Sequence, residues 1–141
     1  MPFYHGKSSQ FTLDNAAGSV VDLSSYCDNT DFSQILETAE TTTFGASAKT
    51  FIPGLRDVTF SVGGKFDPTL DAHLNGVLAA QAAGTLATAS YVIGPAGSTS
   101  GFPKYTGECL ITSYQVNPPV GDVITWSAEF QGTGTPTRTT Y

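Results

Sequence analysis

Arg56-Asp57-Val58-Thr59-Phe60-Ser61-Val62-Gly63-Gly64-Lys65-Phe66 alternates, with Val58, Phe60 and Val62 on one face and Thr59, Ser61 and Gly63 on the other. Period-two alternation of this kind marks a half-buried strand. A helix start follows at once. Asp67 suits the N-cap, Pro68 the first helical position, and Asp71 lies in the first turns, near the positive end of the dipole. Leu70, Leu74, Val77 and Leu78 then recur at i, i+4, i+7 and i+8 as one apolar stripe, and Gly84 supplies a stop. The pattern predicts one helix covering one face of a sheet.

Upstream, Thr30 to Thr38 reads as a strand in which Phe32 and Leu36 share a face and Ile35 sits opposite. A strand apolar on both sides suits one buried by its own core and also by a neighbour. Ala39 to Gly54 then reads as a long polar loop, and connections of that length in a compact domain are functional or disordered. Disorder fits poorly with Phe44, Phe51 and Ile52, because disordered segments are poor in aromatic and β-branched apolar residues. A projecting β-arm that docks elsewhere fits better. Thr41, Thr42 and Thr43 favour extended backbone for strand addition, Lys49 offers a cation, and Phe44, Phe51, Ile52 and Pro53 supply apolar surface. These eight residues form the candidate docking site.

Further out, Ser9 to Asp14 and Ser19 to Leu23 read as a hairpin turned at Asn15-Ala16-Ala17-Gly18. Ser24 to Asn29 reads as a tight turn that drops Tyr26 at the core edge. Thr85 to Ile93 alternates weakly, and Gly94 to Gly101 is a turn region. Lys104 to Val116 is a strong strand, with Cys109, Ile111 and Ser113 on one face and Leu110, Thr112 and Tyr114 on the other. Asn117 to Asp122 is a rigid turn. Asp122 to Gly132 closes the sheet, with Ile124, Trp126, Ala128 and Phe130 alternating against Val123, Thr125, Ser127 and Glu129. Thr133 to Tyr141 is polar, either frayed or an added edge strand. The expected fold is mainly β: two packed antiparallel sheets, as a β-sandwich, or an open barrel, flanked by one α-helix and carrying a long projecting loop.

The 141 residues fit one domain, residues 1–141, without staples. Cys27 and Cys109 could close a single disulfide, but their apolar neighbours favour buried free thiols. Charged residues make up 13% of the chain, against about 25% in ordinary soluble domains, which suits a protein that hides surface in an assembly. A net charge of −6 with six scattered basic residues argues against wrapping nucleic acid, since that affinity comes from Lys and Arg on phosphates. Met1 to Lys7 lacks the apolar core of a secretion signal, and no run approaches the ~18 apolar residues of a membrane span. The reading is a soluble protein made in the cytoplasm, with no membrane partner.

Catalysis finds little support. His5 and His73 are the only histidines, no nucleophile elbow or phosphate-cradling loop occurs, and the carboxylates are dispersed. Metal binding needs clustered ligands, which Cys27 and Cys109 lack in sequence. No enzyme, cofactor or metal is expected. A rival reading is a carbohydrate- or surface-binding β-sandwich module with Trp126 and the tyrosines as a stacking platform, although Trp126 alternates with core-like residues.

Asp22-Leu23-Ser24-Ser25-Tyr26, Asp31-Phe32, Glu37 to Gly45, Lys49, Pro53-Gly54-Leu55-Arg56-Asp57 and Gly64-Lys65-Phe66-Asp67 together resemble the major tail (tail tube) proteins of long-tailed bacteriophages. The match is densest from Asp22 to Asp67. Cys27 stands where that pattern expects an aliphatic residue, which touches packing rather than function. The resemblance implies a structural virion protein: a β-sandwich subunit that closes into homohexameric rings, with the sheets joined into a continuous inner barrel. The rings stack into a tube through which DNA leaves the capsid without sequence-specific binding, and the long loop reaches a neighbouring subunit or ring. It further implies tape measure, tail tip and terminator proteins as partners, and a place in the virion tail after assembly in the host cytoplasm.

Overall fold

The computed structural model describes residues 3–141; Met1 and Pro2, part of the stretch read above for a secretion signal, lie outside the described residues. Among these residues lie seven strands, β1 (Gln10–Asp14), β2 (Val20–Asp22), β3 (Cys27–Glu40), β4 (Phe51–Lys65), β5 (Ala89–Gly94), β6 (Pro103–Asn117) and β7 (Thr125–Thr140), and one helix, α1 (Pro68–Ala83). Short 3-10 turns occupy Gly6–Ser8 and Ser24–Tyr26. The strands form one antiparallel sheet in the order β2-β1-β5-β6-β7-β4-β3.

That single sheet replaces the two packed sheets of the sandwich expectation, and its shape follows from the aromatic contacts. Strands three or four places apart in a flat sheet would lie ~14 or ~19 Å from each other. Phe32 of β3 nevertheless sits 6.1 Å from Tyr91 of β5 and 5.0 Å from Tyr105 of β6, and Phe11 of β1 sits 6.1 Å from Phe60 of β4, ring centre to ring centre. The sheet therefore curls until its two ends face each other, which is the open-barrel alternative. Val62, Phe60, Phe130, Ala128, Trp126, Ile111, Tyr91, Phe11 and Leu13 fill the concave side.

The helix closes one flank. Asp67 accepts from the Thr69 N–H at 2.8 Å, and Gly84, at φ +80°, ends the helix with its N–H on Gln81 O at 3.2 Å. Leu70, Leu74 and Val77 are fully buried, but Leu78 is 36% exposed and stands at the rim of the stripe rather than within it. Beyond Ala89 opposite Cys109, β5 no longer covers β6. There the Gln81 amide takes over: its Oε1 accepts from Ile111 N at 2.9 Å and its Nε2 donates to Cys109 O at 3.3 Å. A side-chain amide thus stands in for the next peptide of the missing strand.

Several sequence boundaries shift. β4 begins at Phe51, not Arg56, and β3 runs from Cys27 to Glu40, so Ala39–Glu40 and Phe51–Gly54 of the expected loop are strand. The polar tail is neither frayed nor a separate edge strand; it continues β7 along β6 as far as Thr140 opposite Pro103. An irregularity between Ile111 and Ser113 inverts the phase of β6, so Tyr114 joins Cys109 and Ile111 on the core side and Ser113 turns outward. Cys27 is half-buried, Cys109 is buried, and both are free thiols.

Candidate assembly interface

Residues 41–50 are the tip of a long hairpin rather than a loop between separate elements. Thr41 N donates to Thr50 O at 2.7 Å, and their hydroxyls meet at 2.7 Å. Thr50 N donates to the Thr42 hydroxyl at 2.9 Å, while Thr43 O accepts from Ala46 N at 3.2 Å. Gly45, at φ +86°, makes the sharp bend that only glycine adopts without strain, and it leaves Phe44 fully exposed. Below the tip Glu40 pairs with Phe51, Ala39 with Ile52 and Thr38 with Pro53. Pro53 is tolerated because β7 pairs with β4 only from Thr59 onward, so β4 has β3 alone for company here. Lys49 is exposed at the tip. The structure thus brings all eight sequence-predicted residues onto one hairpin end.

The shaft below the tip adds residues that the loop reading left out. Ile35, Leu36 and Leu55 are all at least half exposed, Leu36 facing the side continuous with the core and Ile35 the other. Their signal was present in the two-sided apolar pattern of β3. No second layer covers that pattern within this chain, among the described residues.

Besides the short outer strand β2 and the arm part of β4, two long sheet edges lack strand partners among the described residues. β3 is terminal in the sheet along all 14 of its residues, and among the described residues β6 has no strand on its β5 side from Leu110 to Asn117, where the Gln81 amide already holds Ile111 N. Long unpaired edges present ready N–H and C=O rows to another chain. Between them, the outward face of β6-β7-β4-β3 is built mainly of polar side chains. Across three successive rows it reads Leu110-Gln131-Thr59-Ser33, Ser113-Glu129-Ser61-Asp31 and Gln115-Ser127-Gly63-Asn29. Glu129 and Asp31 flank Ser61 there, and none of these twelve residues is Lys or Arg. Lys65 lies at the end of this face, paired with Asp28 at 3.5 Å.

Reactive groups are tuned toward inertness. Burial pushes both thiols from 9.0 up to about 12, with Asp28 and Asp22 adding to the rise at Cys27, and Glu108 and Asp14 at Cys109. Burial lowers His73 below its ordinary 6.5, against the opposing pull of Asp14. His5 Nδ1 accepts from Lys7 N at 3.1 Å, capping the first 3-10 turn. Trp126 is 3% exposed and donates its indole N–H to Tyr26 O at 3.1 Å, so it presents no stacking face to a sugar. Among the described residues no three His, Cys, Asp or Glu side chains cluster as metal ligands, and no helix is long and apolar enough to cross a membrane.

No family model matches this sequence, and no curated protein matches it. Solved structures do. A chain in the tail of an empty gene transfer agent particle, refined with C6 symmetry, superposes with a TM-score of 0.76 at 17% identity, over 97% of this chain and 99% of that one. The SPP1 tail tube gives 0.70 at 12% identity, over 99% of this chain and 80% of the other. The sheath-tube complex of an extracellular contractile injection system gives 0.63 at 12%, over 100% and 92%. The overall fold described above is thus shared with chains of these tail and tube assemblies.

Proposed function

We propose that this protein is a structural tail-tube subunit of a virion. Its copies close into hexameric rings, and the rings stack into the conduit for DNA ejection. The observation that carries this reading is the pair of free edges bracketing the four strands β6-β7-β4-β3. Neighbouring strands in this set alternate in direction. A copy related by rotation about the strand direction therefore brings its β6 antiparallel to the first copy's β3, and the ladder continues across the junction. Repeating that step closes a barrel in which the free edge of β6 pairs with part of β3, a heterologous contact that forms a ring. The C6 symmetry of the gene transfer agent tail supports six as the number.

The acidic face with Asp31 and Glu129 then lines the bore, where carboxylates repel phosphates and let DNA pass without adhesion or sequence-specific binding. The arm residues Thr41, Thr42, Thr43, Phe44, Lys49, Phe51, Ile52 and Pro53 reach a neighbouring subunit or ring. Burying each large apolar side chain there contributes ~1.5–3 kcal/mol. Tape measure, tail tip and terminator proteins complete the partners, and the place of work is the virion tail, assembled in the host cytoplasm. No enzymatic role is assigned.

Negative-stain microscopy and light scattering of concentrated protein test the reading. Six-fold rings or tubes are expected, directly or after adding tail-tip components. A stable monomer at every concentration, with and without those components, would falsify it. Phe44→Ala/Phe51→Ala should melt like the parent and lose most ring or tube formation. Parent-like assembly of that variant removes the arm from the interface, and failure to fold assigns the two rings to the monomer core.

A further inference from the structure

The turn between β6 and β7 is the second exposed apolar end of the molecule. Val120 is fully exposed and Val123 is 55% exposed, beside Pro118 and Pro119. Gly121, at φ +86°, bends this turn just as Gly45 bends the arm tip, and each glycine follows the most exposed apolar side chain of its turn. The two ends lie far apart. Thr125, where the turn rejoins the sheet, pairs with Lys65 at the far end of β4, whereas the arm tip adjoins Phe51 at its near end. The strand between them spans on the order of 45 Å, so an arm cannot reach the turn of its own chain.

We propose that the Pro118–Val123 turn is the seat for the arm tip of a second copy of this chain in the next ring, a reading that rests on the tube assignment above. Translating a copy along the strands and shifting it by two strand widths, ~10 Å, carries its β3-β4 tip over the β6-β7 turn. Phe44, Phe51 and Ile52 then meet Val120, Val123 and the two prolines. Charge complements the apolar match: Lys49 has no ion pair in its own chain among the described residues. Asp122 sits exposed in the turn, one oxygen accepting from Val123 N at 2.7 Å. The contact joins two different surfaces, so it propagates as an open stack and never closes on itself.

Cysteine cross-linking of assembled protein tests this directly. Thr43→Cys/Val120→Cys, assembled and then mildly oxidised, should give a ladder of dimers, trimers and higher multiples on a denaturing gel. Each single variant should stay monomeric. Dimers from Thr43→Cys alone would mean arm-to-arm contact and overturn the proposal, as would tubes of the double variant that give no ladder. A charge exchange supplies a second readout. Lys49→Glu and Asp122→Lys should each raise the concentration needed for tube growth by about two- to fivefold, and the combined swap should restore it. Intact tubes without that restoration count against the Lys49–Asp122 contact while leaving the tube reading standing. A parent protein that forms neither rings nor tubes overturns both.

Discussion

A Cβ on Gly64 would overlap the carbonyl oxygen of Tyr26 and sit 2.8 Å from Cys27 Cα, because β3 enters the sheet hard against this point. The register slips between Cys27 and Asn29 opposite the same glycine, so the Gly63-Gly64 pair marks both a bulge and a close approach. Gly64→Ala should cost ~2–4 kcal/mol, read as a lowered urea midpoint at unchanged slope. A midpoint equal to the parent's would show that β3 can yield. The thiols make a second prediction at this scale. In the unfolded chain they ionise near 9.0, while in the fold they stay protonated to about 12. Between those values the folded state holds protons that the unfolded state has lost, so their contribution is complete below pH 9 and disappears as pH rises toward 12. Thermal melts should fall steeply over that window, and Cys27→Ser/Cys109→Ala should flatten the decline. An unchanged slope would assign the loss to the tyrosines instead; Tyr91 is likewise raised from 10.0 to about 12 by burial.

Among the elements, α1 and its Gln81 clamp carry the clearest test. Gln81→Ala leaves Ile111 N and Cys109 O without partners at an edge no strand covers, which should cost ~1–3 kcal/mol. Amide exchange at Ile111 should rise well above that at Phe60, and equal protection would mean that water replaces the clamp without loss. The helix itself was legible because its signals are local: Asp67, Pro68, the Leu70–Leu74–Val77 spacing and Gly84 all act within a few residues. So was the Val58–Phe60–Val62 strand. The arm was legible as a projecting segment, but its strand pairing was not, for a physical reason. Leu36 pairs with Arg56 but Thr38 pairs with Pro53, so an extra residue on β4 flips its phase, placing Phe51 and Pro53 on the same face as Arg56 and Val58. A period-two reading breaks at that point and returns a loop. Thr112 does the same to β6. Bulges depend on the partner strand, and the partner is not written in the local sequence.

For the molecule as a whole, the sheet's curl was equally hidden. Alternation tells which side of each strand is apolar; it does not tell whether two apolar faces belong to separate sheets or to the two ends of one. The meeting of Phe32 with Tyr105 and of Phe11 with Phe60 decides it. The eight candidate residues were legible by composition, whereas the two free edges and the acidic face required the strand order. That face yields a prediction about the proposed conduit. Tubes of Asp31→Lys/Glu129→Lys should retain double-stranded DNA at low salt and release it as salt rises, while parent tubes retain none. A bore lined by Lys49, Arg56, Lys65 and Lys104, or parent tubes that hold DNA as firmly, would refute the acidic lining.

Beyond Thr59, the arm is a bare two-stranded ribbon with β7 no longer beside it. Ribbons of that kind are marginal alone, and fixing each residue costs about 1–2 kcal/mol of backbone freedom. Two free subunits that meet must both order their ribbons, whereas a subunit joining a finished end finds that end already fixed. Polymerisation should therefore begin with a lag and then accelerate. Sheared tube fragments added at the start should abolish the lag in a light-scattering trace, and growth that starts at full speed without them would show that the ribbon is already rigid in the free chain.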